Sequence, residues 1–115
     1  MSDETTHHKQ ITIDGNTVQF DTPIFDQVEL NDMVVVLLEW TDEEFPDRTR
    51  NVYAVARDGS ILWQIDRTPD NIGGNHSAYG GLHVIDDDLW ATSVAGVSYK
   101  LDVRSGEIVD TKIVK

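Results

Sequence analysis

Residues 51–63 read Asn-Val-Tyr-Ala-Val-Ala-Arg-Asp-Gly-Ser-Ile-Leu-Trp. Two short apolar runs, Val52–Ala56 and Ile61–Ile65, flank Asp58-Gly59. Asp-Gly supplies the left-handed backbone that a tight turn needs, and β-branched and aromatic residues suit the strands on either side. The stretch therefore predicts a β-hairpin. Its shape returns at 98–109, Ser-Tyr-Lys-Leu-Asp-Val-Arg-Ser-Gly-Glu-Ile-Val, at an offset of 46 to 47. Upstream, Val28–Val35 (VELNDMVV) lines up with Val84–Ala91 (VIDDDLWA) at an offset of 56, and loop 41–50 absorbs the change. Each copy reads as a four-stranded antiparallel meander, about one propeller blade in length.

The rest of the chain follows the same pattern. Ile11 and Ile13 alternate with polar residues, Asp14-Gly15-Asn16 is turn chemistry, and Val18 and Phe20 continue on a return strand. Further strands are expected over Phe25–Leu30, Met33–Trp40, Leu82–Ile85, Leu89–Ser93, Val97–Val103 and Ile108–Val114. That makes about ten, with no helical period of useful length. The predicted fold class is all-β, an antiparallel meander. Residues 1–9, with His7 and His8, read as a polar tail. Residues 10–115 read as one domain with repeat copies at about 25–66 and 81–114.

The two hairpin segments resemble the blade repeat of quinoprotein-like (PQQ-type) β-propellers: tyrosine, small residue, aliphatic, aspartate, Gly turn, aliphatic-Trp ending. The first copy keeps Leu62-Trp63 but has Ala56 for the aspartate. The second keeps Asp102 but has Val109-Asp110 where the family places Trp. The resemblance implies blade structure. It carries over no quinone site, because that family surrounds its cofactor with about six to eight blades and two are present here. No cofactor is expected.

Met33–Leu38 is uninterruptedly apolar and Val52–Ala56 nearly so, as in strands buried on both faces. Val97, Tyr99, Leu101 and Val103 instead alternate with Ser98, Lys100 and Asp102, which predicts a sheet wet on one face. This asymmetry predicts two blade-like sheets packed face to face, with the N-terminal hairpin covering the other side of the first. An up-and-down barrel is the alternative architecture.

Composition sets the environment. Fifteen Asp and six Glu oppose four Lys and five Arg, for a formal charge of −12, and there is no Cys. A thiolate metal site, a cysteine nucleophile and a disulfide scaffold are excluded. Nucleic acid is an unsuitable partner, because phosphate binding needs a basic patch. No apolar run approaches the roughly 20 residues of a membrane-spanning helix. The Met-Ser-Asp-Glu start is acidic where a secretory signal is basic, so a cytoplasmic protein is expected. An Asp-rich, Lys-poor surface resembles those of proteins from salt-loving microbes. In molar salt the Debye length falls to roughly 3 Å and self-repulsion is screened.

In a simple meander, successive connections fall at alternate ends. The tight turns at 14–16, 31–32, 57–60, 86–88 and 104–106 then share one end. The connections at 21–23, 41–50, 67–81 and 94–96 share the other. Both long loops fall on that second end, and long loops in compact domains are often functional. Arg48 and Arg50, two of nine basic groups, suit a carboxylate or phosphate. Asn75, His76 and Tyr79 supply further polar contacts. Asp70, His76 and His83 are the candidates for a metal. Glu43, Glu44 and the run Asp86–Asp88 read as solvated charge, and Trp40, Trp63 and Trp90 as strand residues. Arg48→Ala and Tyr79→Ala are expected to leave folding nearly intact. The reading is a non-catalytic module binding an unknown protein or small anionic ligand, monomeric rather than oligomeric. The alternatives are a metal-dependent enzyme using His76 and His83, and a blade pair that completes a propeller by oligomerising.

Overall fold

The computed structural model describes residues 9–20, 22–30, 32–39, 48–66, 68, 71–72, 75–76 and 78–113. Strands β1 (Gln10–Ile13) and β2 (Asn16–Gln19) form a hairpin. Sheet 1 contains β3 (Ile24–Leu30), β4 (Met33–Leu38), β5 (Val52–Ala56) and β6 (Ile61–Gln64), adjacent in that order. A single 3-10 turn, Arg48–Arg50, leads into β5. Two-residue strands β7 (Asn71–Ile72) and β8 (Asn75–His76) pair with each other. Sheet 2 contains β9 (Tyr79–Ile85), β10 (Asp88–Ser93), β11 (Val97–Leu101) and β12 (Ile108–Ile113), again in chain order. Among the described residues every pairing is antiparallel and no barrel closes, so the barrel alternative fails and the two-sheet reading holds.

Strand β4 explains the layering. All six of its residues are buried. Met33, Val35 and Leu37 face sheet 2 and share a core with Val52, Ala54, Trp63, Tyr79, Leu82, Leu89, Ala91, Tyr99 and Leu101. Val34, Val36 and Leu38 face the other way and pack with Ile11, Ile13, Ile24 and Val55. The N-terminal hairpin is thus the lid over the far side of sheet 1. Removing a β4 side chain from water at about 25 cal/mol per Å² makes this strand a major source of the fold's stability.

The turns at one end are set by local chemistry. Asp14 and Gly15 have φ of 50° and 85°, and Asp86 and Asp87 have φ of 52° and 68°. Both pairs thus have φ > 0 at both central residues, as tight hairpins favour, and Asp tolerates that region better than most side chains. Asp58 accepts hydrogen bonds from the Ser60 N–H (3.0 Å) and hydroxyl (2.7 Å). The Ser60 hydroxyl, then its N–H, hold the Asp58 carboxyl below the usual aspartate range. Asn16 Nδ2 donates to Arg57 O at 3.1 Å, and Arg57 lies 3.6 Å from both Asp14 and Glu29 carboxylates. The first hairpin turn is thereby tied to sheet 1.

The register corrects one detail of the repeat. Leu30 pairs with Met33 across the first hairpin and Ile85 with Asp88 across the second, so the copies superpose there at an offset of 55, not 56. A slip of one residue exchanges the two faces of a strand. With the corrected offset, β5 and β11 keep 46, because Val35 opposite Ala54 corresponds to Trp90 opposite Lys100. The edge strands keep 47, because Ala54 opposite Trp63 corresponds to Lys100 opposite Asp110. Leu62 and Val109 are equivalent bulge residues, both exposed. The sheets therefore stack with the same sense, like successive blades. The face with which sheet 1 docks corresponds to the far face of sheet 2.

Substitutions on that far face are systematic. Met33, Val35 and Leu37 correspond to Asp88, Trp90 and Thr92. Val52 and Ala54 correspond to Ser98 and Lys100, and Trp63 to Asp110. Lys100 pairs with Asp88 at 3.4 Å, and the Thr92 and Ser98 hydroxyls meet at 2.7 Å. One large aromatic, Trp90, remains among polar neighbours. The docking contact itself is specific. Trp63 Nε1 donates to Val103 O at 2.8 Å, and its ring lies against Gly106.

Candidate functional site

The connections alternate as the meander requires. At the end away from the tight turns, Glu39 N donates to Pro23 O (2.9 Å) and Val94 N to Ala78 O (2.9 Å). Four connections therefore meet there. Their junction is Asn51, a wholly buried side chain. Its Nδ2 donates to Leu38 O at 2.8 Å and Tyr79 O at 2.9 Å, and its Oδ1 accepts from Tyr79 N at 3.0 Å. Leu38 precedes one long connection and Tyr79 follows the other. One amide side chain thus ties together the flanks of both long connections. Arg50 Nε donates to Ile65 O (2.9 Å) and Gln64 Nε2 donates to Arg50 O (2.9 Å), locking the remaining flanks.

Asn51 was not among the residues singled out from sequence. A signal existed: an Asn, poor in strands, stands directly before five strand residues. A side chain that replaces missing ladder bonds at a strand start is one reason for such a residue.

Tyr79 is a correction. It is fully buried, its ring edge-on to Tyr99 at 6.1 Å, and its hydroxyl donates to Asp66 O at 2.8 Å. It is a buried strut at the start of β9, not a contact on the rim. Gly80-Gly81 suggested that the strand starts at Leu82, but both glycines lie within β9. Similarly, β4 ends at Leu38 rather than running to residue 40.

Arg50 stands at this end with its Nε committed to Ile65 O. Arg48, Asn75 and His76 belong to the 3-10 turn and to β8, and their side chains lie outside the described part of the molecule. Asp70, Arg67, Trp40, Glu43 and Glu44 also lie outside the described residues, as do 1–8 of the expected tail. His83 is exposed on β9, opposite Trp90 on the far face of sheet 2. Among the described residues, no group of three His, Cys, Asp or Glu side chains is placed to hold a metal. Asp86 and Asp87 form an exposed hairpin turn. No helix among the described residues is long and apolar enough to cross a membrane.

Solved structures share the fold at low sequence identity. BamB from Moraxella catarrhalis, a PQQ-like β-propeller protein, superposes with a TM-score of 0.58 and 15% identity over 87% of this chain. The computationally designed Ika8 protein gives 0.57 and 12% over 85%. This chain spans 27% of the length of each. No curated protein sequence matches it. Blade-like stacking of the two sheets is therefore common to this chain and to much longer proteins, while sequence assigns it elsewhere: the match over residues 1–113 makes the chain a member of the family described as a domain of unknown function, DUF7957.

Proposed function

We propose that the chain is a non-catalytic binding module acting through the rim of loops 41–50 and 67–81. The observation that supports this is the Asn51 junction, which anchors the flanks of both loops to one point of a rigid scaffold. Binding loops held by a rigid sheet framework are a common arrangement. Arg48, Arg50, Asn75 and His76 are the recognition residues of this reading, and its ligand is a carboxylate or phosphate anion, free or on a partner protein. Against a chain of net charge −12, paired guanidinium groups are the chemistry that selects an anion.

Calorimetric titration with citrate and with inorganic phosphate tests the reading. The intact chain is expected to bind one of them saturably. Arg48→Ala is expected to weaken that binding about tenfold, with stability changed by no more than about 0.5 kcal/mol. Absence of binding by the intact chain, or equal binding by Arg48→Ala, removes the anion site.

Completion of a ring by oligomerisation is the less favoured reading. At the positions with which sheet 1 docks, sheet 2 carries Asp88, Ser98, Lys100 and Asp110, and desolvating such groups opposes a further sheet there.

The same reading places the module in a salt-loaded cytoplasm. Every described Asp and Glu is at least partly exposed, so the excess charge lies on the surface where screening acts. The thermal midpoint is expected to rise steeply from low salt to molar KCl, and to keep rising above about 0.2 M, where the Debye effect on exposed charges is mostly spent. A midpoint flat between 0.2 and 2 M KCl would remove salt adaptation.

A further inference from the structure

We infer that the tight-turn end carries a second binding site, a cleft between the sheets that takes a basic segment of a partner protein. The cleft has a volume of about 830 Å³, within the range of ligand pockets, roughly 300–1,000 Å³. Its apolar lining comes from both sheets: Leu30 and Met33 from the β3–β4 hairpin, Val84 from β9, and Val103 just after β11. Val84 is the telling side chain. It sits opposite the buried Leu89, on the side of β9 that faces sheet 1, yet it is 45% exposed. The sheets part here before the apolar face of β9 is covered.

The charges of the lining select the occupant. Glu29, Asp32 and Asp87 supply three carboxylates. Arg57 is the one cation among the described lining residues, and it already pairs with Glu29 and with Asp14 outside the cleft. The lining keeps a formal charge of −2, from three acids and one base. An apolar floor beneath an acidic rim matches an arginine or lysine, whose aliphatic stem packs on apolar surface while its head stays near water and carboxylates. The volume admits apolar neighbours of that residue as well. An anionic occupant would meet the rim's own sign, and a purely apolar one would leave the acids partly desolvated without a partner. The site lies at the opposite end from the loop rim, so it stands or falls separately.

The test is an amide chemical-shift titration of the full chain with N-acetyl-Leu-Arg-Leu-amide, in the lowest KCl that keeps it folded. Saturable shifts are expected at Leu30, Met33, Arg57, Val84 and Val103, with none from N-acetyl-Leu-Glu-Leu-amide. The double variant Asp32→Asn/Asp87→Asn is expected to bind about fivefold more weakly. Asn tolerates the left-handed backbone at position 87, so the turn is kept. A control, Asp26→Asn/Asp110→Asn, is expected to bind as the parent does. Shifts spread over the whole acidic surface, equal weakening in the control, or equal binding of N-acetyl-Leu-Gln-Leu-amide would each overturn the proposal. So would the absence of saturable shifts.

Discussion

Asn51→Ala is expected to cost about 3–9 kcal/mol, because it removes three hydrogen bonds to buried backbone groups at about 1–3 kcal/mol each. Those groups are Leu38 O, Tyr79 O and Tyr79 N. A domain of this size has only about 5–15 kcal/mol in total, so the variant should sit near the edge of unfolding. Urea denaturation at fixed salt measures the loss, which should appear as a lower midpoint at unchanged slope. The neighbouring variants separate the contributions. Tyr79→Phe keeps the ring and removes the hydroxyl's bond to Asp66 O, and should cost about 1 kcal/mol. Tyr79→Ala also empties a fully buried aromatic site and should cost about 3–5 kcal/mol. An Asn51→Ala chain within 1 kcal/mol of the parent would show that the junction does not hold the two loops.

Gly106→Ala is expected to unlock the sheet–sheet contact. A Cβ at this position would lie 2.5 Å from Trp63 Cδ2 and Cε3, and the residue's φ is +79°. The backbone alone costs roughly 1–2 kcal/mol for an L side chain there. The indole must also move, and its Nε1 bond to Val103 O moves with it. A total loss of about 3–5 kcal/mol follows, comparable with Trp63→Ala, for which a large aromatic is deleted from the core. The two changes are expected not to add. Once Trp63 is truncated, the clash at position 106 has no partner, and the double variant should cost less than the sum by about 1–3 kcal/mol. Strict additivity in that cycle would mean that Trp63 and Gly106 do not meet. Glycine is required here for space and for backbone freedom at once, which the turn signal Ser105-Gly106 conveys only in part.

Several features were legible in the residues taken locally. Asp14-Gly15, Asp58-Gly59 and Ser105-Gly106 marked turns because a tight turn needs particular backbone angles from particular residues. The continuous apolar run of β4 announced burial on both faces, and the alternation at 97–103 announced a sheet wet on one side. The alternation of connections followed from the meander, and with it the grouping of the two long loops. What the residues could not decide is whatever depends on partners distant in the chain. An offset of 55 or 56 fits the letters of the repeat about equally, but only the pairing of Leu30 with Met33 and Ile85 with Asp88 fixes which faces correspond. Tyr79, following a polar loop and preceding two glycines, looks like a surface residue until Tyr99 and Asp66, 20 and 13 residues away, are brought against it. Asn51 and Trp63 act across 28 and 40 residues. Local chemistry sets the strands and turns because those energies involve neighbours in sequence. Burial and docking arise only where the sheets meet, and there the tertiary structure decides.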